Sequence, residues 1–275
     1  MTSVAEAVAD GVLPGRVWFY SNYHCNLACS YCLTESAPGV GRRELTADSM
    51  VELARQAAEL GFGALGVTGG EPFLIPDMAG TLARLGEILP TVGLTNATLF
   101  TGRRLAAAEV LAGADVALQI SLDSADPDVN DEARGPDNFA KVVTAIPALV
   151  ERGVTVRIAT TGGAADPGEM ARLCALHRDL GVPDEDHVVR PVIARGRAAV
   201  AGMGVPVTAT DLPAELTITA DGAFWSPFGP TVREGRLDTD LLLTRTVDPV
   251  RVPATALLRL VEGRPPGSDS TLNIR

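Results

Sequence analysis

The chain is poor in cysteine, almost without lysine, and has no long apolar run. Four cysteines in 275 residues are too few for a disulfide framework, and three of them fall within eight residues. Clustered thiols of that kind point to metal ligation in a reducing compartment. Lysine occurs once, at Lys141, and arginine supplies the other basic side chains; the bias fits genome composition better than function. The net charge of −11 argues against nucleic acid as the main partner. No apolar stretch is long enough to span a bilayer, so no membrane association is expected. Residues 1–10 are short and acidic rather than a basic, then apolar, leader, so a cytoplasmic location is expected. No cysteine follows Cys174.

What the chain does have is apolar content for a sizeable core, 46% of residues. It also has the stretch Cys25-Asn26-Leu27-Ala28-Cys29-Ser30-Tyr31-Cys32. The C-x3-C-x2-C spacing follows the apolar run Val17-Trp18-Phe19-Tyr20. Thiolates this close suit a soft metal or an iron–sulfur cluster. Three ligands are one short of a closed tetrahedral zinc site or a fully ligated [4Fe–4S] cluster, which leaves one coordination position open. A structural zinc site with His24 as fourth ligand is the alternative. It is disfavoured because adjacent His24 and Cys25 would have difficulty reaching the same ion.

Strand-like runs are expected at 16–21, 64–68, 91–95, 116–122, 154–161 and 187–193. Helical spacing is expected between them, at 46–60 with Thr46 as N-cap, 76–89, 103–111, 138–152 with an interruption at Pro147, and 168–180. That alternation predicts parallel βαβ units in an α/β fold, a partial (β/α)6 TIM-like barrel. Residues 1–15 read as a lead-in, and an Asp-rich loop precedes Arg134-Gly135. A boundary is expected near 194–213, giving a barrel at 16–198 and a small extension at 199–275. In that extension Asp221-Gly222 predicts a β-hairpin, a helix is expected near 254–262, and 263–275 reads as a loose tail.

Five polar motifs fall at or beside the ends of the predicted strands. They are the cysteine stretch; Thr68-Gly69-Gly70-Glu71-Pro72; Thr95-Asn96-Ala97-Thr98-Leu99; Ser121-Leu122-Asp123-Ser124 with Arg134-Gly135 downstream; and Arg190-Pro191-Val192-Ile193-Ala194-Arg195-Gly196-Arg197-Ala198. Together they resemble the radical S-adenosylmethionine (SAM) superfamily over roughly residues 16–200, and within it the members with a SPASM or twitch extension. The resemblance implies one [4Fe–4S] cluster held by Cys25, Cys29 and Cys32, and SAM as second cofactor. It implies reductive cleavage of SAM to a 5′-deoxyadenosyl radical that abstracts a substrate hydrogen atom. It implies SAM contacts from Tyr31, Gly69, Gly70, Glu71, Pro72, Thr95, Asn96, Ser121, Asp123, Arg134, Thr160 and Val192, with Thr161 a further candidate on the adenine side. Cys174 is a candidate hydrogen-atom donor, as in radical epimerases; the plainer reading is a small core residue.

The sequence departs from SPASM and twitch members in the extension. Leu216-Thr217-Ile218-Thr219-Ala220-Asp221-Gly222 and Phe224-Trp225-Ser226-Pro227 have the expected outline, but no cysteine is present to hold an auxiliary cluster. Epimerisation, decarboxylation, rearrangement or carbon–carbon bond formation is therefore favoured over oxidation that relies on an auxiliary cluster. The expected substrate is a small polar metabolite in natural-product or cofactor biosynthesis, with a ribosomally made peptide as alternative. A flavodoxin or ferredoxin is the expected electron donor. A non-catalytic zinc or iron–sulfur protein is the reading from another class.

Overall fold

Alternation along the strands divides each into a side facing the barrel interior and a side facing the helices. In β1 (Arg16–Tyr20), Val17 and Phe19 join the main apolar core, while Trp18 and Tyr20 turn inward. Trp18 fills the interior because Gly66 lies opposite; a Cβ there would stand 2.3 Å from the indole ring. We describe a computed structural model in which residues 2–162, 167–208 and 211–263 are placed.

Five further strands follow in parallel order: β2 (Ala64–Thr68), β3 (Thr91–Thr95), β4 (Val116–Ser121), β5 (Thr155–Thr161) and β6 (His187–Arg190). The helices between them are α2 (Ala47–Glu59), α3 (Met78–Gly86), α4 (Gly102–Ala107), α5 (Pro127–Arg134), α6 (Asn138–Val150) and α7 (Pro167–Asp179). Their apolar faces cover the outer side of the sheet. Thr46 caps α2 by accepting from the Ser49 amide, as expected. The sheet is a partial barrel: β6 forms one of its edges and no closing strand pair is found among the described residues.

Three helices were not expected, the four-residue Arg197–Val200 among them. α1 (Val4–Ala9) begins with a Ser3–Glu6 capping box, and α5 begins with Asp126 as N-cap and Pro127 in the first turn. The expected interruption at Pro147 does not occur. α6 runs through it, because a proline near the helix end removes a single donor while Val142, Ala145, Ile146 and Leu149 stay packed in the core. α3 is shorter than expected, starting after Asp77, whose backbone is left-handed.

The C-terminal segment extends the same sheet. After the short α8 (Arg197–Val200), β7 (Thr217–Thr219) pairs in parallel with β1. β8 (Gly222–Phe224) forms the expected hairpin with β7. β9 (Val232–Arg233) and β10 (Arg236–Leu237) make a separate two-stranded ribbon, and β11 (Leu242–Thr244) pairs with β8. The strand order is β11-β8-β7-β1-β2-β3-β4-β5-β6. α9 (Arg251–Glu262) packs against α1 and β11. The expected tail lies, from residue 264 onward, outside the described residues.

Candidate functional site

The carboxyl ends of β1 to β6 surround a cavity of about 220 Å³. Cys25, Cys29, Tyr31 and Cys32 line it from the loop after β1, Gly69 and Gly70 from the loop after β2, and Thr95 and Asn96 from the end of β3. Ser121, Arg134, Thr161, Arg190 and Val192 close the far side. The three cysteines are free thiols. Among the described residues no three His, Cys, Asp or Glu side chains are gathered to hold a single metal ion. His24 turns its Nδ1 to the Val40 carbonyl, 3.2 Å away.

The cysteine loop is held from three sides. From β2, the Gly70 amide donates to the Asn22 carbonyl, the Glu71 amide donates to the His24 carbonyl, and the Asn22 side-chain amide donates to the Glu71 carbonyl. Gly69 has φ +133°, and a Cβ on Gly70 would stand 2.0 Å from the His24 carbonyl oxygen. The glycine pair was expected to let backbone approach a ligand; the approach that demands glycine is between these two loops. From α5, the Ala133 carbonyl accepts from the Ser30 amide. From the exit of β6, Arg197 Nε donates to the Cys29 carbonyl at 2.8 Å and Nη2 to the Ser36 carbonyl at 2.6 Å. Gly196 makes that contact close, with φ +56° and room for no Cβ beside the Leu33 carbonyl.

Several residues expected to contact SAM do not line the cavity. The Glu71 carboxylate is fully buried and absent from the cavity wall. It accepts from the Phe73 amide, the Thr95 hydroxyl and the Asn96 amide, at 3.0, 2.8 and 2.8 Å. Burial pushes its pKa up, and those three donors oppose the shift. Pro72 is buried at the start of a short 3-10 turn, Pro72–Leu74, and does not line the cavity. Asp123 also stays off the wall: its carboxylate accepts from the Tyr31 hydroxyl, from Arg134 Nη1 and from the Thr161 amide. Thr160 faces the helices, donating to the Leu122 carbonyl and meeting His187 Nε2; by strand alternation its neighbour Thr161 takes the inward position.

Cys174 is removed from the cavity altogether. It sits on α7, outside the sheet, with its sulfur 3.9 Å from His187 Nδ1. A hydrogen-atom donor must reach the substrate, and Cys174 does not line the cavity. Trp225 is buried in the core and does not line the cavity.

Thr95, Asn96, Ser121, Arg134, Tyr31 and Val192 do line it. Asn96 Nδ2 reaches Cys25 Sγ at 3.7 Å and Asn26 Oδ1 at 3.0 Å. Arg134 is buried; Tyr31 and Asp123 outweigh the burial cost and keep it firmly protonated, while its Nε has no partner. Burial pushes the Cys25 thiol up to about 12, and raises Cys29 despite the nearby Arg134. Thiols in this state ionise only when a metal replaces the proton, so the donor set fits a metal cluster rather than a free nucleophile. The cavity wall has residues the sequence singled out without a role, Arg190 and Arg197, and others it passed over, including Leu94, Thr34 and Phe228.

A family model described as the radical SAM superfamily matches residues 20–173. The chain belongs to the radical SAM superfamily. It is accordingly an enzyme whose cofactors are a [4Fe–4S] cluster and SAM, as in the family as a whole. Among radical SAM relatives, the AdoMet-dependent heme synthase of Methanosarcina barkeri is 32% identical over 161 residues, 57% of this chain and 45% of that protein. A probable GTP 3′,8-cyclase of Archaeoglobus fulgidus is 33% identical over 146 residues, 52% of this chain and 48% of that protein. The chain spans about half the length of the curated relatives it matches. Among solved radical SAM structures, anSMEcpe with bound AdoMet and a Cp18Cys peptide has TM-score 0.62 at 12% identity, over 91% of this chain and 84% of that chain. At that identity the likeness concerns the fold, here the partial barrel. No helix among the described residues is long and apolar enough to cross a membrane.

Proposed function

We propose that this radical SAM enzyme acts on a small polar metabolite in cofactor or natural-product biosynthesis. Cys25, Cys29 and Cys32 would hold the cluster. Gly69, Gly70, Thr95, Asn96, Ser121, Arg134, Tyr31 and Val192 would surround SAM. The observation that carries this reading is the shared cavity: the three cysteine thiols and the ends of β2, β3, β4 and β6 line one space. Bound there, the two cofactors would supply one-electron cleavage of the sulfonium and a carbon-centred radical able to take a hydrogen atom from substrate.

The chain's own residues do the rest. Arg134, a residue of the cavity wall whose Nε has no partner, suits a carboxylate held by a guanidinium. Glu71 and Asp123 act at one remove, by fixing the backbone that presents Asn96 and Thr161. The names of the relatives, a heme synthase and GTP 3′,8-cyclases, support cofactor biosynthesis as the setting. Among the described residues the extension offers no cysteine, which favours a reaction whose electrons pass through the single cluster.

Anaerobic reconstitution tests the reading. About four irons per chain are expected, with 5′-deoxyadenosine released when dithionite and SAM are added. Cys29→Ala is expected to lose both. A Cys29→Ala protein that still bound a full cluster and cleaved SAM would sink the assignment.

A further inference from the structure

The cavity wall has three arginines and no aspartate or glutamate. That is unusual in a chain of net charge −11. Two of the three guanidiniums already make hydrogen bonds within the protein. Arg197 donates to the Cys29 and Ser36 carbonyls, and Arg134 donates to Tyr31 and Asp123. Arg190 is different. It is the last residue of β6, paired in register with Thr161, and both face the cavity. Its Nε and Nη2 are buried and have no hydrogen-bond partner, and no described acidic group forms an ion pair with it.

A half-buried cation whose Nε and Nη2 are shielded from water without a partner costs folding free energy, so its presence calls for an explanation. The nearest compensation is incomplete. Glu215 feels the Arg190 charge, but its carboxylate accepts from the Trp18 indole and also faces Arg16. Burial and the like charge of Arg16 lower the Arg190 pKa to about 10, which leaves it cationic at neutral pH. An anion in the cavity would supply the missing acceptors. A guanidinium without a protein partner suits the oxygens of a carboxylate or phosphate.

We propose that Arg190 is the substrate-anchoring residue, and that the substrate carries a carboxylate or phosphate group held by its unpartnered guanidinium. The assignment rests on the enzyme reading above and narrows it from a polar metabolite to an anionic one. Arg134 stays with the carboxylate of SAM, on the α5 side next to the cysteine loop. Arg190 holds the substrate from the β6 side, so the two anions do not compete.

The test uses the reconstituted holoenzyme, anaerobic and saturated with SAM. Inorganic phosphate and succinate are titrated separately by calorimetry. One of the two is expected to bind saturably at one site, and which one does so distinguishes a phosphate-bearing substrate from a carboxylic acid. Arg190→Gln is expected to weaken that binding about tenfold or more, because a charge-assisted pair is lost, while the affinity for SAM in the same preparation changes by less than about threefold. Arg190→Lys, which keeps the charge and loses the fork, is expected to fall between, and provides a second variant should glutamine prevent folding. Arg178→Gln, on an exposed pair with Asp184, serves as control and is expected to bind like the parent. The proposal is overturned if neither anion saturates, if Arg190→Gln binds the anion as the parent does, or if its SAM affinity falls by as much as its anion affinity. Release of 5′-deoxyadenosine by the parent is measured alongside. Its absence overturns the proposed reaction; loss of anion binding in its presence overturns only the assignment of Arg190.

Discussion

Glu71 and Gly70 show how a short motif can serve a ligand without touching it. Gly70 has no Cβ because the His24 carbonyl occupies that space, and the contact fixes where Cys25 begins. Gly70→Ala must push the two loops apart. It is expected to lower the iron retained after reconstitution severalfold while leaving far-UV circular dichroism unchanged; full iron loading would refute the packing role. Glu71 gathers three donors in a site closed to water. Glu71→Ala strands the Asn96 and Phe73 amides, and a stranded buried donor costs about 1–3 kcal/mol. Urea denaturation should show a loss of at least about 2 kcal/mol with the slope unchanged. Glu71→Gln, which keeps one acceptor, is expected to lose less. The motif itself was legible in the sequence, but the direction of its side chain was not. Thr95 and Asn96 are far along the chain from Glu71, and only the parallel pairing of β2 with β3 brings them together.

Among the elements, the strands were the most legible. Each is a short β-branched or apolar run that ends at a polar motif, and the six expected positions match β1 to β6 within a few residues. α1 and α5 were missed because both are short and α5 is strongly polar. The signals were present in Ser3 with Glu6 and in Asp126-Pro127, but a capping pattern without an apolar stripe reads as a turn. The packing of α7 on β6 was also beyond reach of the sequence. It buries His177 completely, with both ring nitrogens lacking partners, edge-on to His187 at 4.4 Å. Burial, reinforced by His187, lowers the His177 pKa to about 4. The folded state therefore holds this ring neutral, while the unfolded chain protonates it near pH 6.5. No stability is lost above that pH. As the pH falls from 6.5 toward 4 the unfolded state binds a proton that the folded state refuses, and the cost reaches about 2 kcal/mol by pH 5. Urea midpoints measured at pH 7 and pH 5 should differ more in the parent than in His177→Phe. Equal differences would rule out His177 as the source.

At the scale of the whole molecule, the C-terminal segment shares one sheet with the barrel. The sequence suggested a boundary near residue 198, because 194–213 is rich in small residues and proline. The sheet crosses that position: β7 adds to β1 in parallel, a pairing across some two hundred residues that no local pattern reports. The Trp18 amide donates to the Leu216 carbonyl, the Trp18 indole to Glu215, and the Tyr20 hydroxyl to the Pro227 carbonyl. The Thr231 hydroxyl and the Val232 amide hold the Leu33 and Thr34 carbonyls just beyond the cysteine loop. Leu216, Ile218, Phe224 and Leu257 belong to the same apolar core as Phe19. A chain cut after Ala198 would therefore leave β1 as an unpaired edge, free the far side of the cysteine loop and expose much of the barrel's apolar face. Such a truncation is expected to be recovered only in aggregates, or to elute as an expanded chain without cooperative unfolding and without bound iron. A milder change isolates the strand pairing: Ile218→Asp puts a charge into the core beside Phe19 and should destabilise the entire protein, since one continuous sheet unfolds as one unit. Two separate unfolding transitions in that variant, or a folded, iron-loaded 1–198 chain, would show the extension to be an independent module instead.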